Sequence, residues 1–350
     1  MVGRAFCVFP ERGVRETLVM ILGCFVFCSG VQANTEEVAM EKCVAKLFKS
    51  APDTMTAGEI RAECKKELDP SNTSVASDEK EPGVIDQRIR IDKENTLSPF
   101  TIMAHRQNYL LAVAHNFYGY SGKEFVEFTG DSKTTPDDTE AQFQISIKTP
   151  LAIDLFDTDV DIFAAYTVRS CWQLYNDDNS SPFRETNHEP ELWVETHPEF
   201  EIFGLQSVAT AFGIVHQSNG QSSNLSRSWN RIYADLILQR GNFAISIKPW
   251  FRIEEDDDDD DNPDITDYLG HGELRLAYKW NEHVFTLMSR NNLESGFSNG
   301  AVELGWSFPL FNFPYLKGYV QYFSGYGESL IDYDQYVNRL GAGILLTDLL

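Results

Sequence analysis

The strongest constraint on this chain is a period of two. From about Asn108 onward, apolar and polar residues alternate in short segments separated by turn-rich stretches. That is the pattern of half-buried strands rather than helices. Residues 141–148 place Phe143, Ile145 and Ile147 on one face, with Gln142, Gln144, Ser146 and Lys148 on the other. Residues 242–253 set Phe243, Ile245, Ile247 and Phe251 against Ser246, Lys248 and Arg252. Residues 272–279 set Leu274 and Leu276 against Glu273, Arg275 and Lys279. Twelve such segments fit, with starts near Asn108, Ala141, Val160, Glu191, Gly204, Trp229, Asn242, Gly272, His283, Gly300, Lys317 and Val337.

An all-β chain of this kind is either a two-sheet sandwich or a closed barrel. Short connections such as 240–242 and 281–283 interleave with long polar ones such as 254–267, which fits a twelve-stranded antiparallel transmembrane β-barrel with both ends in the periplasm. Two further features favour the barrel. The polar faces carry charges readable as pairs, Arg231 with Asp235 and Glu273 with Arg275, as a hydrated lumen would. Aromatics recur near strand ends as an interfacial belt would: Trp172, Trp229, Trp250, Trp280, Trp306 and Tyr315. The longest apolar run, residues 18–28, lies at the N-terminus and falls short of the ~18 residues a spanning helix needs. Helical membrane proteins of many spans are therefore excluded. With 29 Lys and Arg against 53 Asp and Glu, a net charge of −24, no nucleic-acid partner is expected either.

Arg4, Arg12 and Arg15 precede that apolar run and Val31-Gln32-Ala33 follows it, so residues 1–33 read as a secretory signal peptide. Residues 34–68 read as a small helical hairpin; export makes a Cys43–Cys64 disulfide plausible. A polar linker is expected over 69–97 and the barrel over 98–350. Cys171 stands apart and is expected to be a buried free thiol.

The chemistry-bearing stretches are Gly-Ile-Val-His-Gln-Ser-Asn-Gly at 213–220 and Ser-Arg-Ser-Trp-Asn-Arg at 226–231. On the first strand Val208, Phe212 and Ile214 share a face, and the same parity carries His216 and Ser218. On the next, Asn230 shares a face with Ile232, Ala234, Leu236 and Leu238. All three polar residues therefore point out of the barrel at the loop end of adjacent strands. A polar collar at the headgroup level accounts for any one of them. A Ser nucleophile with a His base, oriented by the Asn carbonyl, accounts for all three. The backbone N–H of Gly220 could face an oxyanion.

At these residues the chain resembles the outer membrane phospholipase A family. The shared stretches are Ser-Ser-Pro-Phe-Arg-Glu-Thr-Asn at 180–187, His-Gln-Ser-Asn-Gly at 216–220, 226–231, Asp-Asn-Pro-Asp-Ile-Thr at 261–266, and Ser-Gly-Tyr-Gly-Glu-Ser-Leu-Ile-Asp at 324–332. The resemblance runs from about Ser98 to the C-terminus. It implies hydrolysis of sn-1 and sn-2 acyl esters of phospholipids and lysophospholipids in the outer leaflet, with Ser218 as nucleophile, His216 as base and Asn230 orienting it. It also implies Ca²⁺ and an active homodimer in the cell outer membrane, its N-terminus periplasmic. The ligands would be Ser181 of one subunit with Gln221 and Ser226 of the other, and Asp261 in the monomeric form. Gln221 stands where the family pattern has Arg, a change that a backbone-carbonyl ligand tolerates. The alternative reading is a passive outer-membrane pore or a catalytically silent structural barrel. Eight consecutive acids occupy 254–261; a solvated loop is the plain reading, and concentration of divalent cations the sharper one. On the third strand, outward Val168 offers no polar group to bridge two subunits.

Overall fold

In this computed structural model the described residues are 83–96 and 102–350, except 124–125, 127–129, 131–134, 180, 257–259, 293–294, 297 and 311–312. Val44, Thr56, Gly58, Ile60, Arg61, Cys64 and Lys65 are also described, while Cys43 lies outside the described residues. The expected signal peptide and most of the expected hairpin lie outside them. The chain divides into two units, Met1–Lys80 and Glu81–Leu350. In the first, Cys64 is fully buried and disulfide-bonded, as an exported segment permits.

The second unit is a closed barrel of twelve antiparallel strands: β1 Asn108–Asn116, β2 Thr139–Ala152, β3 Val160–Trp172, β4 Phe183–Thr196, β5 Leu205–Ser218, β6 Ser228–Arg240, β7 Phe243–Ile253, β8 Gly272–Trp280, β9 His283–Asn291, β10 Gly300–Leu310, β11 Phe313–Gly325 and β12 Val337–Thr347. Each pairs with its neighbours in sequence, and β12 pairs back onto β1 (Leu340 with His115, Ala342 with Val113). Closure leaves no row of unpaired backbone groups, the condition for strands to stand in lipid. Two-residue strands at Met103–Ala104 and Glu201–Ile202 extend the sheet beside β2 and β5. No described helix is long and apolar enough to cross a membrane.

The alternation sorts as expected. Ile145, Phe212, Ile214, Ile232, Phe251 and Leu304 are exposed on the outside, while Gln142, Ser146, Glu191 and Arg231 are buried inside. Glu273 and Arg275 do pair across the lumen face, at 2.7 Å. Arg231 and Asp235 do not. Four strand residues span about 13 Å, so Arg231 instead faces Glu189 at 3.8 Å and Asp235 accepts from Ser246 Oγ at 2.7 Å. The aromatic belt also needs correcting. Trp280, Trp306 and Tyr315 are exposed near the short-turn end, but Trp229 and Trp250 are buried inside, edge to face at 6.3 Å, with Arg231 stacked over Trp229. Cys171 is a buried free thiol.

Two strands depart from the expected register. β4 begins at Phe183, eight residues before the expected start; its inward residues Glu185, Asn187, Glu189 and Glu191 are charged or polar, so no apolar alternation marks that stretch. Pro190, which has no N–H to give, interrupts its ladder to β5 between His188 and Glu191. In β5 the pairing to β6 shifts between Ser207 and Ala209. Val208 is the extra residue of that bulge and is buried, so it does not share the outer face of Phe212 and Ile214.

Within the segment expected as a polar linker, α1 (Val84–Thr96) is a helix seated on the short-turn end. The Gln239 side-chain oxygen accepts from the backbone N–H of Ile85 at 2.9 Å. Val84 N–H donates to Gly241 O at 3.2 Å. Arg88 donates to the carbonyls of Asp348 at 3.0 Å and Ala104 at 2.9 Å, and Asp92 pairs with Lys148 at 2.8 Å. Leu349 and Leu350 pack with Val84, Ala244 and Ala277.

Candidate active site

The six longer connections all lie at the other end of the barrel. There β5 ends at Ser218 and β6 opens at Ser228, paired with each other in register. His216 faces Asn230 directly across the same ladder, and because opposed residues of an antiparallel pair share a face, their side chains meet outside the barrel. His216 Nδ1 and Asn230 Oδ1 are 2.9 Å apart. His216 is exposed, while Ser218 and Asn230 are half-buried. Ser218 lies on the same face two residues beyond His216; the two do not hydrogen-bond each other here. Contacts of that kind commonly tighten only around a substrate. The histidine and asparagine expected together are thus brought together, and the serine is beside them.

Gly220 follows in a left-handed conformation, φ +65°, which places it past the strand end with its backbone free to turn outward. His188 on β4 sits opposite Ser218. Its ring edge lies 3.7–3.8 Å from where a Cβ on Gly220 would stand, and its Nδ1 is 2.6 Å from the Tyr166 hydroxyl on β3. An aromatic wall therefore borders the serine on the side away from Asn230. Neither residue was singled out by spacing; a second histidine at the serine's register position was the available signal.

Asn219 is the organiser of the loop after β5, and it too escaped sequence reading. It is 3% exposed. Its Oδ1 accepts from the N–H groups of Gln221 at 3.2 Å and Arg227 at 3.0 Å, and its Nδ2 donates to Leu225 O at 2.8 Å. One side chain thus closes the loop that carries Gln221 and Ser226. The next loop is tied to it: buried Asn262 accepts from Ser228 N–H at 3.0 Å through Oδ1, bringing exposed Asp261 beside the start of β6. Within the acidic run Asp260 is paired with Arg252 at 2.6 Å, and residues 257–259 lie outside the described residues. Ser181, with φ +50°, sits between β3 and β4, its Oγ donating to Leu174 O at 3.1 Å and its carbonyl accepting from Trp172 Nε1 at 2.8 Å. No described contact joins Ser181 to Gln221, Ser226 or Asp261.

These four candidates offer hydroxyl, amide, carbonyl and carboxylate oxygens, the hard donors that suit Ca²⁺ rather than a thiophilic metal. Among the described residues, no group of three or more His, Cys, Asp or Glu is placed to hold a metal within the chain. The donor chemistry of these residues fits calcium.

Behind the loops, α2 (Ile265–Leu269) and Leu330 and Tyr333 pack onto Trp229 and Trp250. The Tyr333 hydroxyl donates to Asp264, and burial together with that carboxylate pushes the phenol's pKa above its usual range. The loop end is therefore a packed cap beneath the exposed pair.

The arrangement agrees with what the chain is similar to. A family model described as Phospholipase A1 matches residues 85–346. The Phospholipase A1 of Proteus vulgaris is 38% identical over 252 residues, covering 72% of this chain and 83% of that protein. That of Escherichia coli strain K12 is 36% identical over the same length. Among solved structures, outer membrane phospholipase A from Escherichia coli matches with a TM-score of 0.66 and 35% identity, over 72% of this chain and all of that one. The Salmonella typhi outer membrane phospholipase, a dimer with bound calcium, matches with a TM-score of 0.67 and 35% identity, over 73% of this chain and 97% of that one. The chain belongs to the phospholipase A1 family, in the twelve-stranded barrel form of the outer membrane phospholipases A.

Proposed function

We propose that the chain is a calcium-dependent hydrolase of the outer membrane, inserted with its N-terminus in the periplasm, that cleaves sn-1 and sn-2 acyl esters of phospholipids and lysophospholipids. The observation that carries this reading is the 2.9 Å contact between His216 and Asn230 on the lipid-facing surface, with Ser218 on the same face. Only a lipid lying beside the barrel can reach that face, so the substrate is one whose ester sits near headgroup depth.

Ser218 Oγ attacks the ester carbonyl while His216 Nε2 takes its proton. Asn230 Oδ1 accepts from Nδ1–H and holds the imidazole in the tautomer whose Nε2 is basic. The N–H of Gly220 faces the developing oxyanion. His216 returns the proton to the leaving alcohol, leaving the acyl group on Ser218. Water, deprotonated by the same histidine, then releases the fatty acid. Bound calcium would supply positive charge to offset that of the oxyanion. Gln221 and Ser226 of one subunit with Ser181 of the other would hold it in a homodimer, and Asp261 in the monomer.

The pore reading finds less support. The lumen is crossed by side-chain ion pairs: Arg106 with Glu189 at 2.6 Å and Glu191 at 3.0 Å, and Lys248 with Glu191 at 3.3 Å. The deciding assay is fatty-acid release from phospholipid micelles by detergent-solubilised protein, with Ca²⁺ and with chelator. Release that depends on Ca²⁺ is the expected result; none in either condition overturns the proposal.

A further inference from the structure

We infer that Glu255, the second residue of the acidic run, is a positioning residue that fixes the direction of the proton path through Asn230 and His216. This rests on the hydrolase reading above. Glu255 follows Ile253, the β7 residue paired with Asn230, and is half-buried. Its Oε1 accepts from Asn230 Nδ2 at 2.8 Å, while the other end of the same amide contacts His216 Nδ1. The four groups therefore form one line: Glu255, Asn230, His216, then Ser218 beyond the ring.

The direction of that line follows from donor and acceptor inventory. An asparagine amide is pseudo-symmetric and can present either its oxygen or its nitrogen to a neighbour. An ionised carboxylate can only accept. With Glu255 on one side, the amide nitrogen must face it, so the amide oxygen must face His216. That oxygen can only accept, so Nδ1 must carry the proton, and the lone pair falls on Nε2, where a serine proton has to be taken. Remove the carboxylate and the amide can turn over. It would then donate to Nδ1, leave the proton on Nε2, and give a ring of the wrong polarity for a base.

The carboxylate also supplies the charge that Asn lacks. A hydrogen bond to an anion is stronger than one between neutral groups. It polarises the amide so that its oxygen becomes a better partner for the imidazolium formed during the reaction. It explains too why the middle position is Asn in this chain. An Asp there would stand against a second carboxylate at hydrogen-bond distance, and two such groups cannot both ionise cheaply. The eight-acid run then has one member with a specific partner at its strand-proximal end, whatever its remaining members do.

The test is steady-state hydrolysis of micellar phospholipid at saturating Ca²⁺. Wild-type protein is measured first, because absence of activity there refutes the hydrolase reading and not this one. Glu255→Ala should lower kcat roughly 10- to 100-fold, the worth of a hydrogen bond to a charged group, with KM little changed. In an Asn230→Ala background the same substitution should have no further effect. Asn230→Asp should lose at least roughly tenfold through the paired carboxylates. Asn230→Asp combined with Glu255→Gln should regain most of that loss, since the glutamine amide then donates to an aspartate that accepts from Nδ1. Heat-modifiable migration on gels establishes that each variant has folded, and should Glu255→Ala not fold, Glu255→Gln takes its place with a smaller expected drop. An active wild type with a folded Glu255→Ala of equal kcat, or a charge-swapped double variant no better than Asn230→Asp alone, would overturn the inference.

Discussion

Two polar clusters belong to this barrel, one inside it and one on the outer face of β5 and β6, and they are built to different rules. Inside, Glu191 accepts from His105 at 2.6 Å, from Arg106 at 3.0 Å and from Lys248 at 3.3 Å, and Arg184 is bound by both Glu140 and Asp332. Those charges are held by neighbours of opposite sign within the chain. Outside, His216 Nδ1 meets Asn230 Oδ1 at 2.9 Å, and the Ser218 side chain on the same face makes no hydrogen bond among the described residues. The inner ion pairs are buried and closed off by the barrel wall. The outer group is exposed where a lipid beside the barrel can reach it. The difference teaches that polarity in a barrel wall is not itself a sign of function; what sets the outer group apart is that it is open to a molecule lying beside the barrel.

That contrast can be broken from either side. Ser218→Ala should remove activity by at least roughly 10³-fold while leaving thermal unfolding unchanged, measured by fatty-acid release and by gel migration after heating. Ion conductance, if the lumen passes any, should also be unchanged. Glu191→Leu should do the reverse. It strands buried cations and should cost about 3–5 kcal/mol of stability, read as a lowered unfolding midpoint, with kcat per folded molecule nearly retained. Gly220→Ala sharpens the outer side. No atom lies closer than 3.7 Å to the added Cβ, so the cost is the left-handed backbone alone, about 1–2 kcal/mol. It should appear as a several-fold fall in kcat as the N–H tilts. The smallest effect belongs to His197, in the turn after β4 and outside the strands. Its hydrogen bond to Glu195 raises its pKa, burial works against this, and Asp159 adds to the rise. A raised histidine stabilises the fold fully below its unfolded pKa of about 6.5, and that contribution disappears as pH climbs through the higher folded value. The midpoint difference between wild type and His197→Gln should therefore shrink between mildly acidic and alkaline pH, with activity indifferent to the change.

Much of this was legible in the residues because a strand's period is short and its errors are local. His216, Ser218 and Asn230 sit at strand ends with unambiguous parity, so their common face could be read directly, and the register then brought His216 onto Asn230. Parity misled where something other than alternation decided the side: at Val208, where a bulge adds a residue, and along β4, where inward charges erase the apolar signal. Trp229 and Trp250 looked like a belt because sequence shows an aromatic near a strand end without showing which face it takes. Glu255 was illegible for a different reason. Beyond Ile253 the strand period stops, and one acid among eight carries no mark of the single amide it meets.

The helix on the short-turn end has a consequence for how the molecule assembles. Its side chains and backbone bind Gln239, 154 residues away in sequence, and the carbonyl of Asp348, 260 residues away. Those partners are in place only when β6 stands in the sheet and the last strand has met the first. Long-range contacts of this span come late because their loop-closure cost must be met before they reward the chain. Although α1 precedes every strand in sequence, it can dock only after the sheet has closed on itself. A spectroscopic probe on Arg90, exposed on that helix, would therefore time ring closure itself, and would do so from outside the wall.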